Sequence, residues 1–274
     1  MAKSVLITGC SSGIGRDAAL TLARRGWRVF ATCRAEADCA RLRAEGLESF
    51  RLDVTDSAGI AAAMAEATSR TGGTLDALFN NAAFGMPCAV EDLPADALRE
   101  MFETNLFGLH ELTRAAIPVM RAQGHGRIVQ CSSGLGLVPY RWRGAYIATK
   151  FALEGLTDVL RLEMHGTGIH VVLIEPGLIE TRFRENAIPH FERWVDWRAS
   201  PRAAQYEGQI IPRLYGHAGG GSHAGPAAVT AKLVHALEAP RPRPRYYVTP
   251  LVWLAAGLKR LLPSRALDAI IRRA

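Results

Sequence analysis

Among the 274 residues, the pair best suited to acid–base chemistry is Tyr146 and Lys150. Side chains four apart on a helix lie on one face. An ammonium beside a phenol favours the phenolate and draws the tyrosine pKa from ~10 toward neutrality, where it acts as a general acid or base. Lysine is rare in this Arg-rich chain, found only at positions 3, 150, 232 and 259, which gives the spacing weight. A compact ammonium also suits such a pocket better than a guanidinium. Tyr140 has no such partner, because position 144 is glycine.

A second group of residues could hold a phosphate. In Thr8-Gly9-Cys10-Ser11-Ser12-Gly13-Ile14-Gly15 the glycines permit a tight turn and close backbone approach to a pyrophosphate, whose charge a following helix N-terminus stabilises. Folds that bind NAD place an acid at the end of the second strand for the ribose 2′-hydroxyl, whereas a 2′-phosphate calls for arginine. Here that strand ends Ala31-Thr32-Cys33-Arg34. The acid's place holds neutral Cys33, and Arg34 follows, so NADP(H) is the expected cofactor and NAD(H) the less favoured one. Either Ser11 or Ser12 could add a hydroxyl to the same phosphate.

The elements that must position these groups are legible as alternating strands and helices. Strands are expected at 4–8, 27–32, 49–52, 75–79, 127–131, 170–174 and 246–248. Helices are expected at 13–25, 36–45, 60–69, 94–121 (broken around Gly108 or Pro118) and 144–164. Strands separated by helices make βαβ units. The expected fold is α/β: a single Rossmann-type doubly wound parallel sheet of about seven strands with helices on both faces. From Phe183 to Pro226 the periodicity is lost. That stretch holds Phe183, Phe191, Trp194, Trp197, Tyr206 and Tyr215, with Gly219-Gly220-Gly221 near its end. A segment of this length reads as a functional loop or lid.

Taken together, TGxxxGIG, Asp53 in Leu52-Asp53-Val54, Asn80-Asn81-Ala82, Asn105, Ser133, Tyr146-x-x-x-Lys150 and Pro176-Gly177 with Thr181 resemble the short-chain dehydrogenase/reductase family. The likeness runs from about residue 3 to 183, and more loosely to the last strand. One departure is Ala83, where the family usually has glycine. The segments Lys150-Phe151-Ala152-Leu153-Glu154-Gly155-Leu156 and Leu173-Ile174-Glu175-Pro176-Gly177 are closer to the hydroxysteroid and retinol dehydrogenases and to bacterial NADPH-dependent aldehyde reductases.

This resemblance implies hydride transfer between a nicotinamide and a carbonyl or alcohol carbon. It makes Tyr146 the acid, Ser133 the group that orients the substrate oxygen (Ser132 being its rival), Lys150 the ribose ligand and Asn105 the holder of a relay water. It implies cofactor contacts at Gly9, Ser11, Ser12, Gly13, Ile14, Gly15, Arg34, Asp53, Val54, Asn81, Pro176, Gly177, Ile179 and Thr181. Glu154 and Asp158 read as a solvated helix face. Apolar aldehydes or ketones, or the matching alcohols, are the expected substrates, with the aromatic residues of 183–226 as cover or merely as packing. A 3-ketoacyl-thioester reductase is the alternative, for which Arg141 and Arg143 offer a basic patch. A dinucleotide-binding sensor without turnover is a more distant one. A homodimer or homotetramer is implied as well.

Composition excludes other classes. With 49% apolar residues, a core can form and wholesale disorder cannot be the answer. No apolar run approaches the ~18–20 residues of a membrane span, and no signal peptide opens the chain, so a cytoplasmic protein is expected. Five scattered cysteines (Cys10, Cys33, Cys39, Cys88, Cys131) form no CxxC pair, which points to buried thiols rather than disulfides or a metal site.

The formal charge of +7 resides wholly in residues 240–274, where eight basic residues face Asp268 alone. A nucleic-acid binder would spread such charge over a folded face. Residues 1–250 read as the catalytic domain and 251–274 as a basic amphipathic helical tail. In the tail, Leu251, Leu254, Ala255, Leu258, Leu261 and Leu262 share a helical face, and a second short helix follows Pro263. Such a stripe suits a membrane surface, making the protein peripheral to it, or a hydrophobic cleft of the chain itself or of a partner subunit.

Overall fold

The computed structural model describes residues 2–216 and 224–273. Its first half alternates β1 (Ser4–Ile7), α1 (Gly13–Arg24), β2 (Arg28–Cys33), α2 (Glu36–Ala44), β3 (Glu48–Arg51), α3 (Ser57–Arg70) and β4 (Ala77–Asn80). A long helix follows, made of α4 (Ala95–Phe102), a π-helical turn (Glu103–Phe107) and α5 (Gly108–Gln123). After it come β5 (Gly126–Cys131), α6 (Gly144–Glu163) and β6 (Ile169–Glu175). The strands form one seven-stranded sheet in the order β3-β2-β1-β4-β5-β6-β7, with β7 at Arg245–Tyr247, and every pairing is parallel. The order reverses between β1 and β4, where a doubly wound sheet opens its ligand crevice at the carboxyl ends of the strands.

Strand periodicity divides the core in two. Val5, Ile7, Val29, Ala31 and Phe79 pack with Ala18 and Leu22 of α1 and Leu42 of α2. Leu6, Phe30, Leu78 and Ile128 pack on the other face with Ile60 and Met64 of α3 and Leu112 and Ala116 of α5. Both faces are therefore dry, as parallel strands require.

The long helix changes pitch just before Gly108 and passes through Pro118 unbroken. A Cβ on Gly108 would stand 2.0 Å from the Val54 carbonyl oxygen, so only glycine lets this helix approach the loop after β3.

Residues 183–215, where the sequence pattern fades, are largely helical: α7 (Phe183–Trp194), α8 (Ala203–Gln205), a π-helical turn (Tyr206–Ile210) and α9 (Ile211–Tyr215). Their burial is toward one another and toward Tyr146 rather than the sheet, so no sheet-facing stripe marks them. Gly219-Gly220-Gly221 lie outside the described residues. Helix α10 (Pro226–Glu238), which the sequence reading did not assign, covers α1 with Val229, Leu233 and Leu237. Its signals were Pro226 at the first turn and apolar residues three and four apart.

The chain ends in α11 (Pro250–Leu261) and α12 (Ser264–Ile271). Helix α11 packs through Val252 and Ala256, and leaves Leu251, Leu254 and Leu261 exposed. No helix among the described residues is long and apolar enough to cross a membrane.

Candidate active site

The glycine-rich turn joins β1 to α1 at the crevice. Gly9 and Gly13 have φ of 72° and 56°, a left-handed region that favours glycine. A Cβ on Gly15 would lie 2.3 Å from the Gly9 carbonyl oxygen. The side chain of Asn81 braces the turn, its Nδ2 donating to the carbonyl of Thr8 at 2.9 Å, while Thr8 Oγ1 accepts from the backbone N–H of Asn81 and of Ala82. Helix α1 begins at Ser12 with no side-chain cap and no acid in its first turn. Its leading N–H groups are therefore open to an anion. This cradle fits the pyrophosphate of a dinucleotide.

Other expected cofactor residues lie on the loops that follow β6 and β3. Thr181 lies against Gly13, where an added Cβ would meet its Cγ2 at 3.0 Å. Ile179 is half-buried against the core beside α1. The backbone of Pro176 is fixed by Gly134 N–H donating to its carbonyl at 2.8 Å, and Gly177 leaves room for Thr249. Val54 is buried, and Asp53 accepts from the backbone N–H of Thr55 at 3.0 Å, which shapes the turn after β3.

At the end of β2, Cys33 is buried and burial raises its thiol pKa to about 12, so it is a neutral group facing the core. Arg34 is exposed beside it. Two further arginines converge here that the sequence reading missed. Arg41 of α2 donates to the carbonyl of Ser11 at 2.9 Å, and Arg51 of β3 donates to the carbonyl of Arg34 at 3.1 Å. Only the parallel pairing of β2 with β3 brings Arg51 next to Arg34, and nothing local in the sequence announces it.

Tyr146 and Lys150 stand on the first turns of α6, both buried. Lys150 Nζ donates to the carbonyl of Cys131 at 2.8 Å and lies 5.6 Å from the Tyr146 ring centre. Burial opposes the expected depression of the phenol. Burial pushes Tyr146 well above the ordinary value of a phenol, and the neighbouring Cys131 adds to this; a hydrogen bond with Ser133 pulls the other way. Burial also lowers Lys150. The reason is geometric: the ammonium is committed to a backbone carbonyl at the end of β5, not to the phenol oxygen.

Ser133 and Ser132 separate cleanly. Ser133 turns toward Tyr146; its Oγ accepts from Leu135 N–H at 3.1 Å, so its O–H is the donor toward the phenol oxygen. Ser132 is buried on the side of Glu154. Glu154 and Asp158 are not the solvated face expected of them, since Glu154 is buried and both pair with Arg245 of β7.

Asn105 sits in the π-helical turn, a distortion frequent at functional sites. Its amide clamps the loop after β4, accepting from Phe84 N–H at 3.0 Å and donating to the Phe84 carbonyl at 2.8 Å, and it reaches Thr149 of α6 at 3.2 Å.

Above these groups lies the helical segment. The Phe183 ring meets Tyr146 edge-on at 5.4 Å. The other aromatic residues divide by role. Phe191 and Tyr206 are buried within the segment, with Trp194 and Trp197 packed against them, and the Tyr206 hydroxyl accepts from Ala89 N–H and donates to Asp92 at 2.9 Å. Tyr215 is exposed. Phe183 thus faces Tyr146, while Phe191, Trp194, Trp197 and Tyr206 pack the segment together and against the body.

Residues 3–190 match the family described as short chain dehydrogenase. An uncharacterized oxidoreductase YbbO of Escherichia coli is 40% identical over 272 residues, 99% of this chain and 95% of that protein. Human 17-beta-hydroxysteroid dehydrogenase type 1 is 33% identical over 268 residues, covering 91% of this chain and 78% of its own length. Among solved structures, a short chain dehydrogenase/reductase from Burkholderia phymatum in complex with NAD superposes with a TM-score of 0.80 at 25% identity, over 94% of this chain and 92% of that one. The closed form of a serine dehydrogenase complexed with NADP+ gives 0.76, also at 25% identity, over 90% and 95%. With these matches and the sevenfold parallel sheet, the chain belongs to the short-chain dehydrogenase family, in its hydroxysteroid- and retinol-dehydrogenase-like branch, and is an oxidoreductase of CH–OH and C=O groups.

Proposed function

We propose that the chain is an NADP(H)-dependent reductase of apolar aldehydes or ketones, running in reverse on the matching alcohols. The observation that carries this reading is the buried Tyr146 phenol, which Ser133 approaches and which the ring of Phe183 meets edge-on at 5.4 Å. A phenol held in its acid form donates to a carbonyl oxygen, and an aromatic edge beside it favours an apolar group on the carbonyl carbon.

Ser133 turns its O–H from the phenol oxygen to the substrate oxygen and fixes its direction. Tyr146 delivers its proton to that oxygen as the carbon is reduced. Lys150, seated on the Cys131 carbonyl, stays close enough to steady the phenolate that forms. When bound, the nicotinamide supplies the hydride. The cofactor's pyrophosphate would rest on Gly9, Ser12, Gly13, Ile14 and Gly15, with its nicotinamide end near Asn81, Pro176, Gly177, Ile179 and Thr181.

Preference for the 2′-phosphate rests on Arg34 and on Arg41, whose guanidinium already holds the backbone of Ser11. No acid stands at the Cys33 position to repel that phosphate. A second reading, reduction of a 3-ketoacyl thioester, rests on Arg143, which stands at the N-cap of the helix that carries Tyr146 and offers a cation there. Self-association fits the outer face of α6 and the π-helical turn beside it, where Phe107, Phe151, Val159 and Leu162 are exposed. An initial-rate screen with NADPH and NADH against decanal, retinal, a steroid ketone and acetoacetyl thioester tests the reading. Turnover of the apolar carbonyls with NADPH is expected. Turnover of the thioester alone selects the second reading, and turnover of none of them with either cofactor overturns the assignment.

A further inference from the structure

We propose that α11 and α12 form a docking surface for an anionic membrane interface. Helix α11 turns two different faces to its surroundings. Val252 and Ala256 are buried, Val252 against Gly134 and Gly177, where added Cβ atoms would stand 2.8 and 3.2 Å from it. The opposite face carries Leu251, Leu254 and Leu261, which are 60, 58 and 81% exposed, and Leu258 between them. Trp253, 56% exposed, leans edge-on against Tyr247 at 4.7 Å. The helix is thus held by its narrow side and offers its apolar stripe outward. Ile270 of α12, 44% exposed, extends the apolar surface.

The charges around the stripe choose the occupant. Lys259, Arg260, Arg265, Arg272 and Arg273 are all exposed, and Asp268 is the single acid from Pro250 to Arg273. None of the five cations forms a salt bridge to an acid among the described residues. The core of a contact between two protein copies is depleted of lysine and other charged residues. A short apolar stripe bordered by basic side chains, with an exposed tryptophan, suits instead the boundary of an anionic bilayer, where leucines enter the acyl region and lysine and arginine reach the headgroups. The placement needs no substrate and stands independently of the reductase reading.

The test is sedimentation of the full chain with vesicles of phosphatidylcholine alone or mixed with phosphatidylglycerol. The mixed vesicles should bind at least ~10-fold more protein at low salt, and the excess should vanish at about 0.5 M salt, where charges are screened within a few ångström. Leu254→Glu with Leu261→Glu should abolish binding while cofactor binding and oligomeric mass stay as in the parent. Arg265→Gln, Arg272→Gln and Arg273→Gln together should remove the preference for phosphatidylglycerol and leave the fold intact. Equal binding to both vesicles, or undiminished binding by the leucine variant, overturns the proposal. So does a fall in oligomeric mass of the leucine variant without vesicle binding by the parent, which would make the stripe a contact between copies.

Discussion

Arg245 Nη1 lies 2.7 Å from Oε1 of Glu175, tying the short last strand to the strand whose end carries Pro176 and Gly177. Glu175 is fully buried. The same guanidinium pairs with Glu154, one turn beyond Lys150 on α6, and with Asp158 at 2.6 Å. One cation therefore spans β7, β6 and α6, the helix that carries Tyr146 and Lys150. Three carboxylates share it. Burial, and then the charge of Glu154, push Glu175 up to about 8 despite the arginine.

Removing the cation should expose that imbalance. Arg245→Met leaves Glu154 and Glu175 without a partner, and breaking a buried pair this way costs ~3–5 kcal/mol. Urea unfolding at pH 8 should show this loss, with a smaller one at pH 5, where the carboxyls take up protons. An unchanged midpoint at pH 8 would assign the cluster no structural weight.

The pH dependence of Glu175 has a definite sign. Its folded pKa is raised, so the native state holds an extra proton. The stability this gives is complete below the unfolded value near ~4.3 and is lost as pH rises through about 8. The parent should therefore lose stability between pH 5 and 8 relative to Glu175→Gln, by up to ~1.4 kcal/mol per pH unit. Thermal unfolding of both proteins across that range checks it; parallel curves would mean that Glu175 is ionised throughout.

Tyr146→Phe should fold, bind cofactor and lose carbonyl reduction by at least ~10²-fold, the usual worth of a positioned acid. In the ligand-free chain, the ultraviolet difference between the parent and Tyr146→Phe should show no phenolate below about pH 10, since burial holds the proton on. A phenolate signal near neutrality would show that Lys150 outweighs burial even without ligand.

The sequence exposed the parts of this site that are local. Strand-then-glycine-then-helix at residues 4–15, and Tyr146 four before Lys150, depend on neighbours in the chain. What stayed hidden depends on packing. Glu154 reads as a surface acid until β7 brings Arg245 to it, and Arg51 carries no local signal until β3 pairs with β2 and sets it beside Arg34. The segment 183–215 lost its signal because it buries its aromatic residues against Tyr206 and Tyr146 rather than presenting one stripe to the sheet.

Cofactor choice should move with the arginines at the end of β2. Arg34→Asp replaces attraction by repulsion at the 2′-phosphate and should shift the NADPH/NADH preference toward NADH by ~10–100-fold in kcat/KM, the range of a charge-assisted hydrogen bond. Arg41→Ala should raise the KM for NADPH by a smaller factor, because it removes one charge and loosens the Ser11 backbone without adding an acid. NADPH kinetics unchanged in both variants would remove this corner from cofactor recognition.

The amide of Asn105 separates a clamp from a relay. In Asn105→Ala, the Phe84 N–H and carbonyl both lose their partner, at ~1–3 kcal/mol for each group left unsatisfied. The loop after β4 then loosens against the helical segment 183–215, and stability and turnover should fall together. Asn105→Asp keeps the acceptor for Phe84 N–H but cannot donate to the Phe84 carbonyl while ionised, so it should fall between parent and alanine in both measurements. Thermal unfolding beside initial rates for the two variants checks this. If the aspartate variant keeps parental stability and still loses turnover, Asn105 serves proton transfer directly, and its bonds to Phe84 are incidental to the chemistry.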